Sequence, residues 1–141
     1  MKSKNCSFDK HPTPVFGDEA TGTVFDAYVW EQNGRLRMDF SWRPRKALGV
    51  TFSDDGIHWE EPVVTLDLSE ANTWENNLNR NCVIPDPKGD GYLMWYTGQW
   101  WDERGGSSKI GLAHSEDGIH FTRCGKEPVL VPEAEFEGAS V

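Results

Sequence analysis

Two histidines occupy matching surroundings, and imidazole is the side chain best suited to ligate a metal or move a proton near neutral pH. Gly49-Val-Thr-Phe-Ser-Asp-Asp-Gly-Ile-His-Trp59 and Gly111-Leu-Ala-His-Ser-Glu-Asp-Gly-Ile-His-Phe121 share Gly, Ser, Asp, Gly, Ile and His in register. A motif written twice marks equivalent points of two structural units, and such points face away from each other. His58 and His120 are therefore expected to face solvent, each within its own unit, instead of building one metal or catalytic centre. Cys6, Cys82 and Cys124 are odd in number, far apart and outside any C-x-x-C spacing, which indicates neither a disulfide framework nor a zinc site. Free thiols in a reducing compartment are expected, and no metal or cofactor is predicted.

The repeat extends well beyond the histidines. Most of the pattern of residues 24–66 returns in 79–131: Met38 with Met94, Phe40 with Tyr96, Ser53 with Ser115, and Pro62-Val-Val64 with Pro128-Val-Leu130. The spacing between partners lengthens along the chain, so small insertions fall between strands, where repeat architectures tolerate them. The turn at the heart of the motif has a mechanical explanation. Its Ser and Asp side chains can bond backbone N–H groups of their own turn, Gly56 and Gly118 supply positive φ, and the aromatic residue that follows packs back.

At 141 residues the chain is one domain by length, and 37% hydrophobic content with seven Trp, seven Phe and three Tyr is ample for a core. A formal charge of −9 argues against nucleic-acid or anionic-membrane partners, which need a basic face. A neutral or cationic ligand is easier to accept. Met1-Lys-Ser-Lys-Asn-Cys6 lacks the apolar stretch of a signal peptide, and no apolar run approaches membrane-spanning length, so the expected location is cytoplasmic.

Taken in order, residues 1–20 are an N-terminal arm in which only His11-Pro-Thr-Pro-Val-Phe16 has strand character, and its prolines confine it to an edge. Residues 21–66 form a first unit. Thr23 to Trp30 is β-branched and aromatic, Asn33-Gly34 is a strong hairpin signal, and Arg35 to Trp42 alternates with the period of a half-buried strand. Ala47 to Phe52 and Ile57 to Glu60 complete four antiparallel strands. Residues 67–78 read as a polar connection. Residues 79–131 repeat the design with strands at Asn81 to Pro85, Tyr92 to Thr97, Ile110 to His114 and Ile119 to Phe121, and a long loop from Gly98 to Ser108. Residues 132–141 begin a third unit. The predicted fold is all-β, a partial β-propeller of two four-stranded antiparallel blades plus terminal part-blade segments.

The motif resembles the Asp-box turns of sialidases and related turns of glycosidase propellers. Phe25-Asp-Ala-Tyr-Val29, Tyr92-Leu-Met-Trp-Tyr-Thr-Gly98, Lys109-Ile-Gly-Leu-Ala-His-Ser-Glu-Asp-Gly118 and Phe136-Glu-Gly-Ala-Ser-Val141 together resemble the five-bladed propeller glycosidases, above all glycoside hydrolase family 43. The resemblance covers nearly the whole chain from about His11. It implies that Asp26, opening the innermost strand of the first blade, is the general base, and that Glu137, opening the third, is the general acid. Ala27 and Ala139 stand where the family carries prolines. The family's second blade supplies a further Asp, whereas this chain has Asn77-Leu-Asn-Arg-Asn81 there.

Glycoside hydrolysis needs two carboxyl groups flanking the scissile bond, held roughly 6.5 to 9.5 Å apart when the enzyme inverts. Burial and a like-charged neighbour would raise the acid's pKa, as protonation of the leaving oxygen requires. Asn79, Arg80 and Asn81 can hydrogen-bond sugar hydroxyls, and Trp42, Trp74, Trp100 and Trp101 are candidates to stack on sugar faces. Two functions are thus expected in competition. One is hydrolysis of neutral glycosides by Asp26 and Glu137. The other is a non-catalytic propeller module that oligomerises and binds carbohydrate without cleaving it. Two blades leave open edges, so either the remaining blades of a longer chain or a homo-oligomer, a dimer by preference, would complete the ring.

Overall fold

A computed structural model of the chain describes residues 9–71, 73–103 and 105–141, so Cys6 lies outside the described residues. Two four-stranded antiparallel sheets are present, each with its strands in chain order. Sheet one contains β1 (Val24–Gln32), β2 (Arg35–Trp42), β3 (Ala47–Ser53) and β4 (Val63–Leu66), and sheet two contains β5 (Asn77–Pro85), β6 (Tyr92–Asp102), β7 (Gly105–Ser115) and β8 (Thr122–Arg123). This is the all-β, two-blade architecture that the repeat predicts. Among the described residues no helix is long and apolar enough to cross a membrane.

Local chemistry sets the strand order. Asn33 and Gly34 take φ of 54° and 80°, the left-handed pair of a tight hairpin turn, and β1 folds back on β2 there. The two repeated turns close almost identically. Gly56 N–H donates to Ser53 Oγ at 2.8 Å and Gly118 N–H to Ser115 Oγ at 2.9 Å. In each turn two successive backbone N–H groups, of Ile57 and His58 or of Ile119 and His120, donate to one aspartate oxygen at 2.8 Å. His58 and His120 are exposed, and each ring Nδ1 bonds the aspartate of its own turn, Asp55 at 2.7 Å and Asp117 at 2.8 Å. They complete the turn chemistry instead of facing a common site.

Several boundaries differ from the sequence expectation. The fourth strands are Val63–Leu66 and Thr122–Arg123, not the residues just after the turns. In sheet one the turn consumes Ile57 and His58, leaving Trp59 only an isolated bridge to Ser53 while its ring meets Phe16 edge-on. The stretch Gly98 to Ser108 is not a loop, because β6 and β7 stay paired out to Asp102 and Gly105. β5 begins at Asn77, inside the stretch expected to be a connection. His11 to Phe16 forms no strand; Phe16 instead docks on Phe40 with ring centroids 5.3 Å apart.

β2 also departs from the half-buried expectation, since both of its faces are covered. Met38, Phe40 and Trp42 form a cluster with Phe16, Val24, Trp59 and Val64. The other face carries Arg37, Asp39 and Ser41, all buried against sheet two. Arg37 donates through Nε and Nη2 to the two oxygens of Asp39 at 2.8 and 2.7 Å, and through Nη1 to Gln32 Oε1 at 2.9 Å and to the Gly118 carbonyl. Trp30 Nε1 donates to the same aspartate at 3.0 Å. A buried pair is tolerable only when its remaining hydrogen-bonding capacity is met in this way. Beside it, Leu48 and Leu66 of sheet one pack with Trp74, Leu78, Val83, Met94, Tyr96, Ala113 and Phe121 in the main apolar core.

Candidate functional site

The leading strand of each sheet contains one bulge, and each bulge holds a non-glycine residue at positive φ. In β1 the register shifts between Phe25 and Tyr28, with Asp26 at φ 53°; in β5 it shifts between Asn79 and Asn81, with Arg80 at φ 41°. Left-handed backbone costs a residue with a Cβ about 1–2 kcal/mol. Bulges of this kind re-aim a side chain and recur next to active sites. Here they turn two side chains toward each other across neighbouring strands. Arg80 Nε lies 3.4 Å from Asp26 Oδ1, and Arg80 is the more exposed of the two. Asp26 Oδ2 is shielded from solvent and has no hydrogen-bond partner.

The neighbouring contacts fix both bulges. The Tyr28 hydroxyl accepts from the Val83 N–H at 2.6 Å, tying β1 to β5, and the Arg80 N–H donates to Ser41 Oγ at 3.0 Å. Burial, and then the Asp39 carboxylate, push the Tyr28 phenol well above its ordinary pKa. The bulge in β5 also rephases the strand. Asn81 therefore lies between the sheets, its Nδ2 at 3.5 Å from Asp39 Oδ1, and its Oδ1 is buried without a partner. Asn79 is buried as well and donates through Nδ2 to Gln99 Oε1. Its Oδ1 likewise has no partner.

The other anticipated residues divide. Trp42 and Trp74 are core residues: each is 6% exposed, with its indole N–H donating at 2.8 Å to a backbone carbonyl, of Thr21 and Lys126 respectively. Neither offers a ring face to a ligand. Trp100 and Trp101 are 39% and 55% exposed on the paired extension of β6. Glu137 lies in a short 3-10 turn, Glu135–Glu137, beside the outer edge of β7, where Ser108 N–H donates to the Ala139 carbonyl. Its Oε2 accepts from the N–H groups of Glu133 and Ala134 at 2.8 and 2.7 Å. These bonds, that from Ala134 first, hold the carboxyl below its usual range. Among the described residues no hydrogen bond or ion pair joins Asp26 to Glu137.

Sequence reasoning missed Gln99 and Asn76. Gln99 Oε1 accepts from both Asn79 Nδ2 and Trp101 Nε1, the latter at 3.1 Å. Asn76 clamps the backbone of Trp101, donating to its carbonyl at 2.8 Å and accepting from its N–H at 3.1 Å. The available signal was the period-two run Thr97, Gln99, Trp101, which becomes visible once 98–108 is read as paired strand. Among the described residues no group of three or more His, Cys, Asp or Glu side chains is placed to hold a metal ion.

No protein-family model matches the sequence, and no curated protein is significantly similar to it. Solved structures are similar in fold. A complex of BT0996 with RGII matches at TM-score 0.55 and 19% identity over 74% of this chain and 36% of the other. A protein described as a glycoside hydrolase matches at TM-score 0.55 and 20% identity, with the same coverage. A glycosyl hydrolase from Bacteroides ovatus matches at TM-score 0.53 and 20% identity over 71% of this chain and 30% of its own. The chain thus spans about a third of the length of the solved structures it matches, and its two sheets share their fold with part of glycoside hydrolase structures.

Proposed function

We propose that this chain forms the base-side portion of a carbohydrate-active β-propeller that hydrolyses neutral glycosides, with Asp26 as the general base. The observation that carries the reading is the strained bulge at Asp26, which spends backbone energy to hold a carboxylate oxygen shielded and without a partner. Such an orphaned oxygen in a native fold calls for a ligand or a catalytic role. In this role Oδ2 accepts a proton from the attacking water, while Arg80 and Asn79 hold sugar hydroxyls and Asn81, between the sheets, braces the Asp39 carboxylate. Arg80 lies within Asn77–Asn81, the blade-two stretch where the family resemblance implies another acid. The likeness in fold to glycoside hydrolases supports the reaction class as ancestry. The test is release of sugar from chromogenic arabinosides and xylosides. Asp26→Asn should lower the rate about 10²- to 10⁴-fold, the usual contribution of a positioned base; an unchanged rate would sink the assignment.

One observation favours a second reading, binding without cleavage. A general acid needs a raised pKa to stay protonated at working pH, and the Glu137 carboxyl is lowered by the turn it caps. In this reading the chain retains the sugar-binding surface, and no assay detects hydrolysis while binding persists. Completion of the ring by a second copy or by further blades belongs to both readings. It is supported by the apolar residues left exposed beside β7, Val129, Leu130 and Phe136, the last 91% exposed. Light-scattering chromatography should return a discrete dimer if chains complete each other, and a monomer otherwise.

A further inference from the structure

The sheets place two exposed aromatic rings, those of Trp100 and Trp101, at the same end as the two bulges. Asp26 and Arg80 lie near the starts of β1 and β5, and in an antiparallel meander the far ends of β2 and β6 lie beside those starts: Trp42 pairs with Val24, and Gln99 with Asn77. In sheet one the chain turns at once through Arg43–Arg45 into β3. In sheet two β6 and β7 run on together to Asp102 and Gly105, past the end of β5. This extension lies at the bulge end of sheet two and carries Trp100 and Trp101.

Trp101 is built as a fixed surface. The Asn76 amide pairs with both its carbonyl and its N–H, at 2.8 and 3.1 Å, and Gln99 Oε1 receives the indole N–H at 3.1 Å. One face of the ring lies across Gly106, where a Cβ would come within 2.4 Å of it. The ring is nevertheless 55% exposed. An aromatic ring immobilised at its backbone, its polar tip and one face costs little further entropy when a ligand covers it. Beside it, Asn79 is 4% exposed with Oδ1 lacking a partner, and its Nδ2 shares the Gln99 oxygen with Trp101.

We propose that Trp101 is a stacking platform for one ring of a neutral oligosaccharide, with Asn79 and Gln99 supplying hydrogen bonds to its hydroxyls. Flat aromatic surface beside a few convergent amides is the composition of a small-ligand site. The C–H face of a pyranose or furanose suits such a surface, and a chain of net charge −9 favours a neutral sugar over an acidic one. Trp100 serves differently, because it lies with Lys46, Leu68 and Glu75 at the seam between the sheets. The platform rests on the carbohydrate reading above but not on the role of Asp26.

Titration of the full chain with xylohexaose, linear arabino-oligosaccharides and, as an anionic control, oligogalacturonate tests it by calorimetry and indole fluorescence. Wild type should bind a neutral oligomer with quenching or a blue shift. Trp101→Ala should weaken binding about tenfold or more, which corresponds to about 1.4 kcal/mol, whereas Trp100→Ala should change it little. Gly106→Ala, which displaces the ring without removing it, should weaken binding as well, with circular dichroism confirming an intact fold for each variant. Equal affinity of Trp101→Ala and wild type overturns the platform, as does absence of binding by wild type or preference for the anionic control. A change of solution mass in Trp101→Ala also overturns it, since the ring would then be covered by a second copy. Asp26→Asn separates the two claims. Hydrolysis lost with binding kept supports both, and hydrolysis kept removes the base role while leaving the platform to stand on Trp101.

Discussion

The two sheets share their turns and differ where they meet other parts of the molecule. Phe40 of β2 pairs with Gly49 of β3, and Tyr96 of β6 pairs with Gly111 of β7; in both the aromatic ring lies across the glycine. The turns that follow bond in the same pattern. The neighbouring faces diverge. Arg37, Asp39 and Ser41 of β2 correspond, by the repeat, to Leu93, Trp95 and Thr97 of β6. The first set is buried as a hydrogen-bonded network against sheet two, whereas Leu93 and Trp95 are only half-buried. The bulges diverge too, with an acid in one and a base in the other. What the two copies share holds a blade together; what they do not share decides which neighbour each face meets.

The largest expected effect comes from breaking the polar contact between sheets. Arg37→Ala leaves Asp39 buried and uncompensated and removes the donor to the Gly118 carbonyl, so a loss of about 3–5 kcal/mol is expected in denaturant unfolding. Replacing Arg37 and Asp39 together by apolar residues should recover much of that loss, because the stranded charge is then gone. A second, smaller effect tests the shared part. Gly49→Ala and Gly111→Ala both force a methyl into a ring, at 2.7 Å from Phe40 and 2.2 Å from Tyr96. Overpacking of this kind costs about 1–3 kcal/mol. Similar losses at the two sites would support equivalence of the blades, and a loss at only one would break it.

These same contacts explain which parts of the fold the sequence made legible. Turn chemistry is local, so Asn33-Gly34 and the Ser-x-Asp-Gly motifs announce their backbone directly. Glycines facing aromatic rings mislead. Gly98, Gly105 and Gly106 read as loop, yet Gly98 leaves room for the Trp74 ring and Gly106 for Trp101 within a paired hairpin. Trp42 and Trp74 fail as sugar-binding candidates for a related reason: whether a Trp is core or platform depends on what lies across from it, and both have a backbone carbonyl waiting for the indole N–H. The bulges were invisible because Asp26 and Arg80 adopt a backbone region that their side chains disfavour. Only the family resemblance pointed to Asp26, and nothing in the spacing pairs it with Arg80.

The strain at the bulges gives a third prediction of opposite sign. Asp26→Gly and Arg80→Gly remove a left-handed non-glycine residue, so each should stabilise the chain or leave it unchanged, by up to about 1 kcal/mol, in the same unfolding assay. Stabilisation at Asp26 coupled to loss of function is what a strained functional position predicts. Destabilisation at either site would mean that the bulge serves packing, and the contrast between acid and base would then lose its functional meaning.

The smallest effect distinguishes the two turns by pH. Asp55 and Asp117 titrate well below the ordinary aspartate range, in each case chiefly because of the bond from the histidine of the same turn, with backbone N–H donors adding to it. A carboxyl whose pKa is lowered by folding contributes stability that is present above its unfolded value, about 3.9, and is lost as pH falls through the folded value. The Tm differences between wild type and Asp55→Asn or Asp117→Asn should therefore be full at about pH 6 and shrink as pH falls below about 4. Both aspartates are exposed, and solvent screens such bonds, so the differences are small. They should nevertheless be unequal. Asp117 fixes the turn whose Gly118 carbonyl receives Arg37, whereas Trp59 Nε1, within the same turn, donates to the corresponding carbonyl of Gly56. A larger loss for Asp117→Asn would show that the turn of sheet two supports the junction between sheets. Equal losses would confine each turn to its own blade and leave the Arg37–Asp39 pair to hold the junction without it.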